Sequence, residues 1–145
     1  MSVDPPPINE ILAEQNGLPK LPWILFFNNL FEGDAGTAWL PLFDGLSSVG
    51  TPTITGRYYR INQKFCVFFV TITPATSTTS VAATTYITNF PINFETDSVC
   101  FAGTGSGAVQ AIGGIRAADN RIYTPGWSAV TTPLTVVGFG VVANG

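Results

Sequence analysis

Apolar residues recur along this chain at two different spacings. Near the start, Ile8, Ile11 and Leu12 fall at helical intervals, and Trp23, Phe26, Phe27, Leu30 and Phe31 fall at i, i+3, i+4, i+7 and i+8, one face of a helix. Pro5 to Pro7 form a stiff extended spacer before the first set, Asn16-Gly17 and Pro19 stop it, and Gly33 ends the second. The pattern predicts an N-terminal anchoring arm over 1–36 with one or two short helices. Such short elements cannot bury the five large side chains of the second set by themselves, so they must dock, either on the chain's own sheet or on a neighbouring subunit or host assembly.

From Thr37 onward the helical period disappears and short strand-like runs take over, bounded by turn residues. Pro41 and Asp44-Gly45 punctuate the entry. Thr53 to Ile61 reads as a strand with Gly56 as a bulge, and Phe65 to Thr73 as its hairpin partner across Asn62-Gln63. Ala75 to Ser80 reads as a Thr/Ser loop, and Val81 to Phe90 as a strand stopped by Pro91. Val99 to Gly103, Ala108 to Ile115, Arg121 to Thr124 and Leu134 to Val142 complete the set. Seven or eight strands at this spacing predict a mainly β chain: an antiparallel β-sandwich of jelly-roll type over 37–145.

Charge changes this picture more than hydropathy does. Only 10% of the residues are charged, where a soluble domain carries about 25%. No charged residue occurs from Phe65 to Phe94 or from Ile122 to Gly145, and Thr, Ser, Asn and Gly stand among the apolar residues instead. Neutral hydroxyls are expected to cover the surface, as suits a symmetric oligomer or a crowded assembly. Six scattered basic residues and a net charge of -3 leave no footprint for nucleic acid. Leu21 to Phe31 is interrupted by Asn28 and Asn29 and falls short of the roughly 20 apolar residues that span a bilayer, so membrane insertion is not expected. Ser2 to Pro7 is acidic and proline-rich, unlike a secretory leader.

Candidate chemistry is sparse. The chain has no histidine, which removes histidine-assisted nucleophiles and most zinc sites. Glu32 with Asp34, and Glu95 with Asp97, are the close acidic pairs a glycosidase would need. Their Gly, Thr and Ser neighbours mark them instead as solvated turn carboxylates, and neither pair has a calcium-loop pattern. Gly103-Thr104-Gly105 with Ala108, and Gly138-Phe139-Gly140 with Ala143, resemble dinucleotide fingerprints but lack the strand-to-helix setting. They read as turn or bulge glycines. Cys66 and Cys100 are expected to be buried free thiols. The reading is therefore of a non-enzyme without cofactor or metal. Tyr86, Tyr123 and Trp127 remain as aromatics beside turns, placed to stack on a sugar or to fill an interface pocket.

The run from Pro22 to Asp34, Trp39-Leu40-Pro41, Gly50-Thr51-Pro52, Gly56-Arg57-Tyr58-Tyr59-Arg60-Ile61 and Ile122-Tyr123-Thr124-Pro125-Gly126-Trp127 together resemble appendage proteins of tailed bacteriophages. The resemblance is a loose pattern over most of the chain and transfers no functional residue. It implies a virion component, assembled in the bacterial host cytoplasm, with a trimeric jelly-roll head and an arm anchored to other virion proteins. Host-surface attachment is the expected role. A capsid decoration or cement protein, and a glycan-binding or glycan-cleaving module, are the alternatives.

Overall fold

The computed structural model describes residues 36–61, 63–104 and 109–143. The predicted helices, with Ile8, Ile11, Leu12, Trp23, Phe26, Phe27, Leu30 and Phe31, lie outside the described residues, as do Glu32 and Asp34. What is described is mainly β and antiparallel throughout, with one short 3-10 turn at Ala117–Asp119.

The sheet is built from its strongest alternation. β4 (Thr53–Ile61) and β5 (Phe65–Thr73) form the expected hairpin in unbroken register from Thr53↔Thr73 to Ile61↔Phe65. Gly56 pairs with Val70 in that register, without the expected bulge. A Cβ on Gly56 would instead meet the Trp39 ring at 2.8 Å and Pro41 at 2.7 Å. Along β5 the even positions Cys66, Phe68, Val70 and Ile72 are fully buried, because successive side chains of a strand point to opposite faces. β12 (Leu134–Val141) pairs with the other edge of β5 and then with β8 (Ser98–Thr104). β9 (Val109–Arg116) and β10 (Arg121–Tyr123) extend the sheet, with the Gly103 glycine at a register shift between β8 and β9.

Shorter strands finish both ends. β1 (Thr37–Trp39) lies beside β4, while β7 (Tyr86–Ile87) and β2 (Phe43–Asp44) follow β10. The result is a curled nine-stranded sheet in the order β1-β4-β5-β12-β8-β9-β10-β7-β2. A second sheet has the order β11 (Trp127–Val130), β6 (Ser77–Ser80) and β3 (Ser47–Val49).

Two sequence expectations are corrected here. The Thr/Ser segment read as a loop ends in β6, and the predicted strand Val81 to Phe90 is reduced to β7. Between them the backbone N–H groups of Thr84 and Thr85 both donate to the Val81 carbonyl, and Ala83 takes a positive φ of 66°, which closes a turn. The Thr85 hydroxyl locks that turn by accepting from the Val81 N–H at 2.9 Å.

One inner row shows how the core closes: Tyr58, Phe68, Gly138, Cys100 and Gly113 stand side by side on five strands. The Phe68 ring lies where a Cβ on Gly138 would stand, so the glycine makes room for the aromatic. Around Phe68, the rings of Trp39, Phe90 and Phe94 pack with centroids 5.3 to 6.4 Å away. Such pairs add roughly 0.5–1.5 kcal/mol each beyond the area they bury.

Candidate interaction site

Tyr86 and Tyr123 are brought together as direct cross-strand partners on β7 and β10. Their ring centroids are 5.3 Å apart, the Arg121 guanidinium lies 4.3 Å over the Tyr86 ring, and Arg116 lies 5.5 Å over Tyr123. Both cations are placed by the hairpin itself, since Arg121 pairs with Arg116 across the Ala117–Asp119 turn. The phenols are held as well: Tyr86 donates to Asp44 at 2.6 Å and Tyr123 donates to Asp119 at 3.1 Å. Asp119 also meets Arg116 at 2.7 Å and Arg121 at 3.6 Å.

The electrostatics follow from these contacts. The hydrogen bond to Asp44, helped by desolvation, holds the Tyr86 phenol above its ordinary range. Desolvation alone would raise the Asp119 carboxyl, but hydrogen bonds from Arg116 and Tyr123 and the charges of Arg116 and Arg121 outweigh it and lower it. The cluster is thus a partly solvated ladder of aromatic rings and ions. It offers a sugar or a peptide aromatic edges, guanidinium groups and a carboxylate.

Beside it, a groove of about 660 Å³ runs over β8, β9 and β10 between Asp97, Ser98, Ile112, Arg116 and Tyr123, with Gly113 and Gly114 in its lining. The Asp97 carboxylate there accepts at 2.8 Å from the N–H of Ala117, the first residue of the 3-10 turn. Glu95 is exposed. Among the described residues no group of three or more His, Cys, Asp or Glu gathers as metal ligands.

Trp127 is reassigned from the ligand candidates to the core. It is 4% exposed and its Nε1–H donates to the Thr78 hydroxyl at 3.3 Å. It belongs to a buried hydroxyl seam that also corrects the expectation of a purely superficial Thr/Ser skin. Thr78, Ser80, Thr85 and Thr124 are all buried. Ser80 donates to the Pro125 carbonyl at 2.7 Å and lies 2.9 Å from the Thr124 hydroxyl. The Thr85 carbonyl accepts from the Thr124 N–H at 3.0 Å and lies 3.2 Å from the Thr124 hydroxyl, whose single proton serves either that carbonyl or Ser80.

Cys66 and Cys100 are buried and unbridged. Burial pushes their thiols up, to about 11 and about 12, so both stay protonated at neutral pH. Gly138 and Gly140 lie inside β12 in unbroken register with β5, in neither a nucleotide loop nor the turn or bulge expected of them, and Gly138 is there because the Phe68 ring fills the place of a side chain.

The outer face of the large sheet is the other candidate. Arg57, Phe69, Val137, Phe101 and Ile112 form one row across five strands, next to a second row with Tyr59, Val67 and Phe139. A third row, Thr55, Thr71 and Thr135, borders them. No family model matches the chain, and neither a curated protein nor a solved structure matches it. Its function is therefore read from these two surfaces and from the sequence pattern.

Proposed function

We propose that this chain is a structural component of a tailed-bacteriophage virion, an appendage protein of the fibre or tail class. In this reading its β domain is a trimeric head of jelly-roll type, and the arm 1–36 anchors it to other virion proteins. The observation that carries the reading is the outer sheet face, where Phe69, Phe101, Phe139 and Ile112 stand exposed on a chain only 10% charged. A surface so poor in charge and rich in aromatics belongs to a protein that works inside an assembly. The likeness of Pro22 to Asp34 and of the segments after it to phage appendage proteins supplies the kind of assembly. The curl of the nine-stranded sheet, with a smaller sheet joined to it through buried hydroxyls, supports the jelly-roll assignment of the head.

The mechanism is mechanical and adhesive. Ile8, Ile11, Leu12, Trp23, Phe26, Phe27, Leu30 and Phe31 bury their apolar faces on the particle, while the head meets the host surface. The Tyr86 and Tyr123 ladder, next to the groove of Asp97 and Arg116, favours a glycan as what is touched. Aromatic rings stack on sugar faces, and guanidinium and carboxylate groups take the hydroxyls. This is binding without cleavage, needing no cofactor.

Particles assembled without the chain test the reading. They are expected to keep their resistance to heating and to lose adsorption to host cells. Loss of heat resistance with adsorption intact would overturn it in favour of a capsid cement protein.

A further inference from the structure

We infer that the outer face of β4, β5, β12, β8 and β9 is the surface through which copies of this chain pack against one another. The inference deepens the proposed function and rests on its oligomeric part, not on the phage particle.

The face is apolar by design of the strands. β5 is hydrophobic at both parities: its even residues fill the core, and its odd residues Phe65, Val67 and Phe69 point outward. β12 repeats this with Val137, Phe139 and Val141, and β8 with Val99 and Phe101. A strand with one solvated face alternates apolar with polar residues, so apolar residues at both parities mark a strand covered on both faces. The curled sheet covers only one of them. Outside, Tyr59 packs edge-on against Phe69 and Phe65 lies against Phe139, so four of the rings stand as two packed pairs and not as scattered points.

The area fits an interface. Ile61, Phe69, Val99, Phe101, Ile112 and Phe139 are 37% to 65% exposed. Their open surface is on the order of 500 Å², near the top of the roughly 300–600 Å² that the largest patch of a monomer reaches. Partly exposed Phe65, Val67, Val137 and Val141 add to it, toward the roughly 800 Å² per partner of an ordinary specific interface.

Charge selects the occupant. The outward positions of β5, β12 and β8 carry no ionisable group, and Arg57 stands at one margin with its guanidinium on the Gly36 carbonyl at 3.3 Å. A face without charge meets its own copy with no like-charge repulsion, whereas a surface shaped for a different partner would carry charge to complement it. The threonine row Thr55, Thr71 and Thr135 provides a neutral polar rim on one side, and the Arg116 and Asp97 groove provides another. Apolar centre and polar rim are the anatomy of a protein–protein interface.

Light scattering on the full chain, with Ile112→Lys, Phe139→Lys and the control Val130→Lys, tests this. Val130 is 64% exposed but lies on β11 of the small sheet. The wild type and the control are expected at three chains of 15.4 kDa each, and the two face variants at one. Hydroxyl-radical footprinting of the wild type should protect Phe101 and Phe139 and leave Val130 reactive, a readout that needs no variant to fold. A dimer that both face variants dissociate would keep this surface and overturn the trimer. An oligomer indifferent to both variants, with Phe101 and Phe139 reactive, would overturn the surface and leave the oligomeric reading standing. A monomeric wild type would overturn both, and protected Phe101 and Phe139 in that monomer would assign the face to the chain's own residues 1–35.

Discussion

The two sheets of this protein are held together by different physics. In the large sheet, β4, β5, β12 and β8 bury Phe68, Val70, Ile72, Val136 and Leu134, and almost all of the cohesion is apolar packing. In the small sheet, β6 is Ser77-Thr78-Thr79-Ser80, and its inward side chains are hydroxyls with partners on Trp127, Thr124 and Pro125. Apolar burial is non-directional and forgives small shifts, while a buried hydroxyl contributes only when its partner is in place. The large sheet therefore supplies the bulk of the stability; the small sheet adds Trp127 and Ala129 of β11 to the same apolar core, and its hydroxyl seam adds the directional contacts.

The largest expected effect comes from removing the apolar centre. Phe68→Ala should cost about 3–5 kcal/mol, because the ring is fully buried among Trp39, Phe90 and Phe94 and leaves a cavity. Gly138→Ala tests the same contact from the other side. Its methyl would occupy the place of the Phe68 ring, and overpacking of this kind costs roughly 1–3 kcal/mol. Chemical denaturation of each variant measures both, and a Gly138→Ala protein as stable as wild type would mean the row is looser than described.

Alkali should strike the same region next. Burial holds the thiols of Cys66 and Cys100 up at about 11 and about 12 in the folded chain, above the 9.0 of an unburied thiol. Between pH 9 and 11 the unfolded chain loses protons that the folded chain keeps, so stability is intact below pH 9 and falls above it. The loss is on the order of 2 kcal/mol per thiol by pH 11. Thermal melts from pH 8 to 11 should show this slope, and a Cys66→Ala, Cys100→Ala double variant should flatten it.

This division also explains what was legible in the sequence. β4 and β5 match their predicted bounds, Thr53 to Ile61 and Phe65 to Thr73, because long β-branched and aromatic runs leave little choice. β6 was not legible, since Ser and Thr favour loops and strands alike, and only the tertiary partners Thr124 and Trp127 make its inward hydroxyls acceptable in a core. Of the site, Tyr86 and Tyr123 could be picked out as aromatics near turns, but their company could not. Arg116 and Arg121 flanking Asp119-Asn120 were the available signal, a hairpin whose arms place two cations side by side. The outer face was not read from the sequence, although the apolar residues at both parities from Phe65 to Val70 carried its signal.

The hydroxyl seam should respond less than the apolar centre, and only at its inward positions. Ser80→Ala leaves the buried Pro125 carbonyl without its 2.7 Å donor and removes the 2.9 Å contact to the Thr124 hydroxyl, which keeps the Thr85 carbonyl at 3.2 Å as its acceptor, a loss of about 1–3 kcal/mol. Thr78→Val keeps the shape but strands the Trp127 Nε1–H inside the core, with a cost in the same range.

The smallest effect is expected one residue away on the same small sheet. Ser128 lies on β11 opposite Thr79 and is exposed between the buried Trp127 and Ala129. Its hydroxyl faces water, so Ser128→Val removes no buried partner and adds a β-branched residue that suits a strand. The change should stay within about 0.5 kcal/mol of wild type in chemical denaturation, as surface substitutions usually do. A loss as large as that of Ser80→Ala would mean that the small sheet depends on its hydroxyls on both faces, and the contrast between an apolar sheet and a sheet held by one buried seam would have to be redrawn around a covered outer surface there as well.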